Sequence, residues 1–117
     1  MAKFLLLLNE NPAQSPDWSP QEMQAIIARY RAWREGLGDR ILGGQKLTDE
    51  GGRVLERARG AEDGETRVLD GPYTEAKELL GGFFMIEAES YDQAVEVSRS
   101  CPHLDHGWIT VRQIDEV

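Results

Sequence analysis

The chain has 117 residues, 40% of them hydrophobic, with a formal net charge of −8 at neutral pH and a sequence pI near 4.7. That length and apolar share suit one domain spanning the whole chain, residues 1–117, built around one core. The acidic balance excludes a nucleic-acid binder of the usual kind, which needs a basic face to displace counterions from phosphates, and it disfavours contact with an acidic membrane surface.

In chain order, Lys3–Asn9 is an apolar run bounded by Asn9-Glu10-Asn11-Pro12, and reads as a strand wanting cover on both faces. Asn11 to Trp18, with Pro12 and Pro16, is a loop. A helix follows: Ser19 caps it, Pro20 suits its first position and Glu22 completes a capping box. Met23, Ile26, Ile27, Tyr30 and Trp33 recur at helical spacing as one face, and Gly36 and Gly38 close the helix. On the same helix Arg29, Arg31 and Arg34, beside Glu35, read as a solvated face. Arg40–Leu47 is a second strand, interrupted by Gly43-Gly44. Arg53–Ala58 and Thr66–Leu69 form a hairpin, Asp70-Gly71-Pro72 a turn, Thr74–Leu80 a short helix closed by Gly81, and Phe83–Glu87 a strand. Ser90 and Gln93 open a second helix through a further capping box, with Ala94, Val97 and Cys101 on its inner face and Pro102 as its stop. Trp108–Ile114 is the last strand.

Strand, helix, strand, inserted hairpin, strand, helix, strand is the split β-α-β pattern of ferredoxin-like α+β folds. It puts both long helices on one sheet face. Because the first strand is apolar on consecutive residues, its other face needs cover as well, and a second copy packed sheet to sheet supplies it: a homodimer is expected. The lone Cys101 permits no internal disulfide and suits a reducing cytoplasm. Phe4–Leu8 is too short to span a bilayer and is followed by no cleavage site, so neither a membrane anchor nor a signal peptide is expected.

The stretch Asp70-Gly71-Pro72-Tyr73-Thr74-Glu75-Ala76-Lys77-Glu78-Leu79-Leu80-Gly81-Gly82-Phe83-Phe84 resembles the signature of the DGPF branch of the YCII-related proteins, with Tyr73 where Phe is usual. Cys101-Pro102-His103-Leu104 with Gly107, then Ile109 to Ile114, resembles the closing segment of that family. The resemblance implies a ferredoxin-like domain that pairs into a dimeric α/β barrel. Members of the wider family are thought to use a His–Asp pair for lyase chemistry, including dehydrochlorination of chlorinated aromatics, with the His on the first helix and the Asp before the Pro that ends the second. Here Tyr30 or a near neighbour stands in the first place and Cys101 in the second, so that pair is not carried over. Many relatives are encoded beside extracytoplasmic-function sigma factors, which implies the alternative of a non-catalytic regulatory partner. A plain dimeric scaffold is the third reading.

Among residues able to carry chemistry, His103 is the leading candidate: imidazole titrates near neutral pH, although it could simply cap the helix before it. Asp70 could accept a proton or orient His103, or cap its own turn. Tyr30 and Trp33 would line any pocket between the first helix and the sheet, Tyr73 sits in the signature, and Arg112 could clamp an anion. Cys101 reads as a buried, inert thiol. His103, Asp105 and His106 crowd one short loop with no matching ligands elsewhere, so no metal is expected, and without a GxGxxG or P-loop no cofactor is. The leading expectation is a small-molecule enzyme or binding domain of lyase or isomerase type, with His103 and Asp70 moving a proton.

Overall fold

The computed structural model describes residues 1–14, 17–57, 65–71 and 78–117. The elements are β1 (Ala2–Glu10), α1 (Pro20–Leu37), β2 (Ile41–Lys46), β3 (Arg53–Arg57), β4 (Thr66–Asp70), β5 (Leu79–Ala88), α2 (Tyr91–Ser98) and β6 (Trp108–Gln113). Short 3-10 turns occupy Pro12–Gln14, Gly38–Arg40 and Pro102–Asp105. β2, β5, β1 and β6 form an antiparallel sheet in that order, the order expected of the split β-α-β pattern; β3 and β4 pair with each other as a separate hairpin. The fold is mixed α+β, as the order of elements predicts. Among the described residues no helix is long and apolar enough to cross a membrane.

Period-two alternation decides which sheet face is core. Phe4, Leu6 and Leu8 of β1 and Phe84, Ile86 and Ala88 of β5 point to one side and are buried with Trp33 of α1 and Ala94 of α2, so both helices share that face. Each large apolar side chain removed from water there contributes about 1.5–3 kcal/mol. Leu5, Leu7, Phe83 and Met85 point to the opposite face and are only half-buried. Arg112, in register with Leu5, stands on β6 with them.

The start of α1 is built as its sequence predicts: the Ser19 hydroxyl accepts from the Glu22 amide at 3.1 Å, and the Glu22 carboxylate accepts from the Ser19 amide at 3.2 Å. Its end comes at Leu37, followed by Gly38 at φ 57°, a backbone state that favours glycine. The second cap differs from expectation. Ser90 accepts from the Gln93 amide, but the Gln93 side chain reaches back one residue further, to the Glu89 amide at 2.7 Å. α2 also stops at Ser98, so Cys101 is buried beyond the helix and not on its face.

The short helix expected over Thr74–Leu80 lies outside the described residues except for its end. There Leu79 and Leu80 are strand, and β5 begins four residues before the expected Phe83. Pairing with Glu10 and Asn9 of β1 draws these residues into the sheet: a partner strand of matching length overrides local helix preference.

Candidate functional site

The helical face read from Met23 to Trp33 is not uniformly core. Trp33 is buried, with its ring edge-on to Phe84 at 5.0 Å and its indole N–H donating to the Ser100 hydroxyl at 3.1 Å. Met23 and Ile27, on the next stripe around the helix, are 40% and 49% exposed. The reason lies opposite them. Gly44 of β2 and Gly82 of β5 offer no side chain, and neither has room for one: a Cβ on Gly44 would strike the Phe84 ring, and one on Gly82 would lie 2.8 Å from the Gln45 carbonyl oxygen. A pocket of about 570 Å³ opens between α1 and this part of the sheet. Its walls combine Met23, Ile26, Ile27, Leu8 and Phe84 with the glycine backbone, the rings of Tyr30, His103 and His106, and the charged Arg31, Arg34, Lys46, Glu10 and Glu35.

Pro102 starts the 3-10 turn that carries His103 under α1, where the imidazole is 4% exposed. Its Nε2 lies 2.6 Å from the Asn9 carbonyl oxygen, which can only accept, so Nε2 carries the hydrogen. In the neutral ring Nδ1 is then bare and accepts from the Tyr30 hydroxyl at 3.1 Å. The Tyr30 oxygen keeps a lone pair for the Nε2–H of His106, at 3.3 Å. One carbonyl thereby orders the tautomers of the whole chain and leaves His106 Nδ1 without a hydrogen. The edge of Trp18 meets His106 with ring centroids 5.0 Å apart, and the two histidine rings meet at 4.8 Å. Arg29 pairs with Asp105 across the surface and ties α1 to this turn.

Burial first, and the electrostatic influence of Cys101 and Glu10 next, push the Tyr30 phenol well above its ordinary value, so at neutral pH it donates and does not ionise. Burial, and then the neighbouring His103, push His106 below the ordinary imidazole value and favour its neutral, proton-accepting form. Burial raises the Cys101 thiol, offset in part by the backbone of His103, which leaves it a poor nucleophile.

The expected site residues separate on this frame. Tyr30 and His103 meet in the pocket. Trp33 sits in the core behind it. Asp70 ends β4, 94% exposed in its side chain; its carboxylate lies 3.5 Å from the Arg53 guanidinium, it is not among the lining residues, and the partner of His103 is Tyr30. Arg112 stands on the far sheet face. Tyr73 lies outside the described residues. Sequence reasoning did not pick out Trp18, His106 as partner of Tyr30, or Glu10, a half-buried carboxylate that lines the pocket with no hydrogen bond or ion pair among the described residues. Arg31 and Arg34, read as a solvated face, are exposed and also line the pocket.

Residues 2–117 match the YCII-related domain. An uncharacterized protein of Rhizobium meliloti (strain 1021) is 50% identical over 36 residues, which are 31% of this chain and 29% of that protein, so the match spans less than a third of the relative. Among solved structures, 5-chloro-2-hydroxyhydroquinone dehydrochlorinase (TftG) from Burkholderia phenoliruptrix AC1100, in complex with 2,5-dihydroxybenzoquinone, aligns with 97% of this chain and 93% of its own at 21% identity and a TM-score of 0.48. With the domain matched from the second residue to the last, the chain belongs to the YCII-related family.

Proposed function

We propose that this protein binds a small molecule in the pocket beneath α1 and transfers a proton on it, in a reaction of lyase or isomerase type. The observation that carries this reading is the Tyr30 hydroxyl bridging His103 and His106 in the wall of the cavity. His103 has both ring nitrogens engaged and acts as the anchor that orients Tyr30. His106, neutral and with Nδ1 bare, takes the proton, and Tyr30, whose one hydrogen goes to His103 Nδ1, accepts from His106 Nε2–H and holds that imidazole in place. Asp70 has no part in this version of the chemistry. On the Asp70–Phe84 stretch we place the chain in the DGPF branch of its family. We also propose a homodimer through the sheet face of Leu5, Leu7, Phe83 and Met85, whose half-buried apolar side chains a second copy would cover; sedimentation of a Leu7→Lys variant as a monomer beside a dimeric parent would support it, and a monomeric parent would remove it.

The test of proton transfer is deuterium uptake by an enolisable ring ketone, cyclohexane-1,2-dione, in heavy water, followed by proton NMR. Positioned general base catalysis typically gives about 10²–10⁴-fold, so the protein should accelerate exchange beyond an equal concentration of free imidazole, and His106→Asn should abolish the excess. Exchange no faster than free imidazole would refute the proton-transfer reading.

A further inference from the structure

We infer that the ligand of this pocket is a small planar carboxylate, held through its anionic end by Arg31 and Arg34. The inference rests on the pocket reading above and adds the class of molecule. The two arginines sit one and four residues after Tyr30 on α1, so Arg34 lies about 6 Å further along the helix axis than the phenol, a span that one substituted ring covers. Both line the pocket, and neither makes an ion pair among the described residues, whereas Lys46 on the facing strand is held by Asp49 at 3.0 Å. Glu35 shares this wall but lies beyond ion-pair distance of either guanidinium. Glu10, the other acidic lining residue, is on β1, and its carboxylate lies over Gly81.

The guanidinium of Arg34, though exposed, stands over the Phe84 ring, 5.7 Å from its centroid. Gly44 leaves the space that the Phe84 ring fills, and Gly82 lies close against the Gln45 carbonyl. A pocket with apolar side walls, the hydrogen-bonded Tyr30 and histidine rings, and two guanidinium groups with no ion pair among the described residues fits a flat molecule that carries both a hydroxyl or carbonyl and a carboxylate. In a chain of net charge −8, such a local cationic pair also sets the pocket apart from a surface that otherwise repels anions.

The test uses two probes of one shape, 3-hydroxybenzoate and its neutral amide 3-hydroxybenzamide, titrated into the full chain by calorimetry at pH 7. The expected result is that the acid binds roughly tenfold more tightly than the amide, the worth of one charge-assisted hydrogen bond. The R31Q/R34Q double variant should bring the two within about twofold of each other while leaving the amide unchanged. Arg99→Gln, which removes a surface charge elsewhere, should leave the preference intact. Acid and amide binding alike, or a preference that survives in R31Q/R34Q, would overturn the carboxylate assignment while the pocket stands. Failure of both probes to bind would overturn the assignment and the pocket reading together.

Discussion

Gly107→Ala tests the anchoring of His103 by adding a single methyl group. Gly107 has no need of a left-handed backbone, so the substitution adds bulk without backbone strain. The new Cβ would fall 2.5 Å from His103 Nε2 and closer still to the Asn9 carbonyl oxygen, directly on the hydrogen bond between them. Neither neighbour is the free end of a flexible side chain: one is β1 backbone and the other a ring 4% exposed. Breaking that bond strands a buried donor and acceptor at about 1–3 kcal/mol, and forcing the ring aside adds an overpacking cost of similar size. The sum is ~2–6 kcal/mol; at ~4 °C per kcal/mol for a chain of this length, the melting temperature falls by roughly 8–24 °C. Urea denaturation and calorimetry measure the loss. NMR detection of the slowly exchanging His103 Nε2–H, present in the parent and absent in the variant, ties it to this bond. Gly36→Ala serves as the counterpart: a Cβ there meets nothing within 4 Å, and late in an exposed helix it should stabilise by ~0.5–1 kcal/mol. A Gly107→Ala protein within ~0.5 kcal/mol of the parent, a scale typical of surface substitutions, would refute the anchoring role of Asn9.

Tyr30→Phe keeps the ring but removes the donor to His103 Nδ1 and the acceptor for His106 Nε2–H, so it should cost about 1–3 kcal/mol in urea denaturation; an unchanged midpoint would show that water replaces the hydroxyl. Because the folded state depresses the pKa of His106, the unfolded chain holds that proton more tightly. The stability this residue lends is present above the ordinary imidazole pKa of about 6.5 and is lost as pH falls from there through the folded value. The parent should therefore lose more stability than His106→Gln between about pH 7 and 5, and parallel pH profiles would contradict the assigned environment. Cys101, 2% exposed with its thiol raised by burial, should react with an aromatic disulfide reagent only as fast as the chain opens; instant modification of folded protein would place it at an accessible site.

The order of elements was legible because each rests on local chemistry. Ser19, Pro20 and Glu22 start α1 through interactions within one turn, and the alternation of Phe4, Leu6 and Leu8 turns one side of β1 to the core. What was not legible depended on pairing. Leu79 and Leu80 are as acceptable in a helix as in a strand, and only the length of β1 beside them decides. In the same way nothing near Gln93 says whether its side chain will reach the Ser90 or the Glu89 amide; both lie within a residue of each other.

The site shows where sequence reasoning stops and what sign it could have used. His103 was picked out by its chemistry, but a partner cannot be read from separation along the chain: Tyr30 is 73 residues away and Asp70 only 33, and the fold, not the distance, determines which one arrives. Tyr30 shares a helical face with the buried Trp33, and spacing alone does not tell a core ring from one that lines a pocket. That face holds the clue. From Met23 through Ile27 it is broader than the stripe of Ile26, Tyr30, Trp33 and Leu37 that a helix needs in order to pack on a sheet, and it runs on into Arg31 and Arg34 without a polar break. Meanwhile the strands destined to face it carry Gly43-Gly44 and Gly81-Gly82 where side chains would fill a core. An apolar helix face with no side chains to receive it leaves a cleft, and an apolar-to-basic gradient along the same helix marks which end of that cleft takes charge.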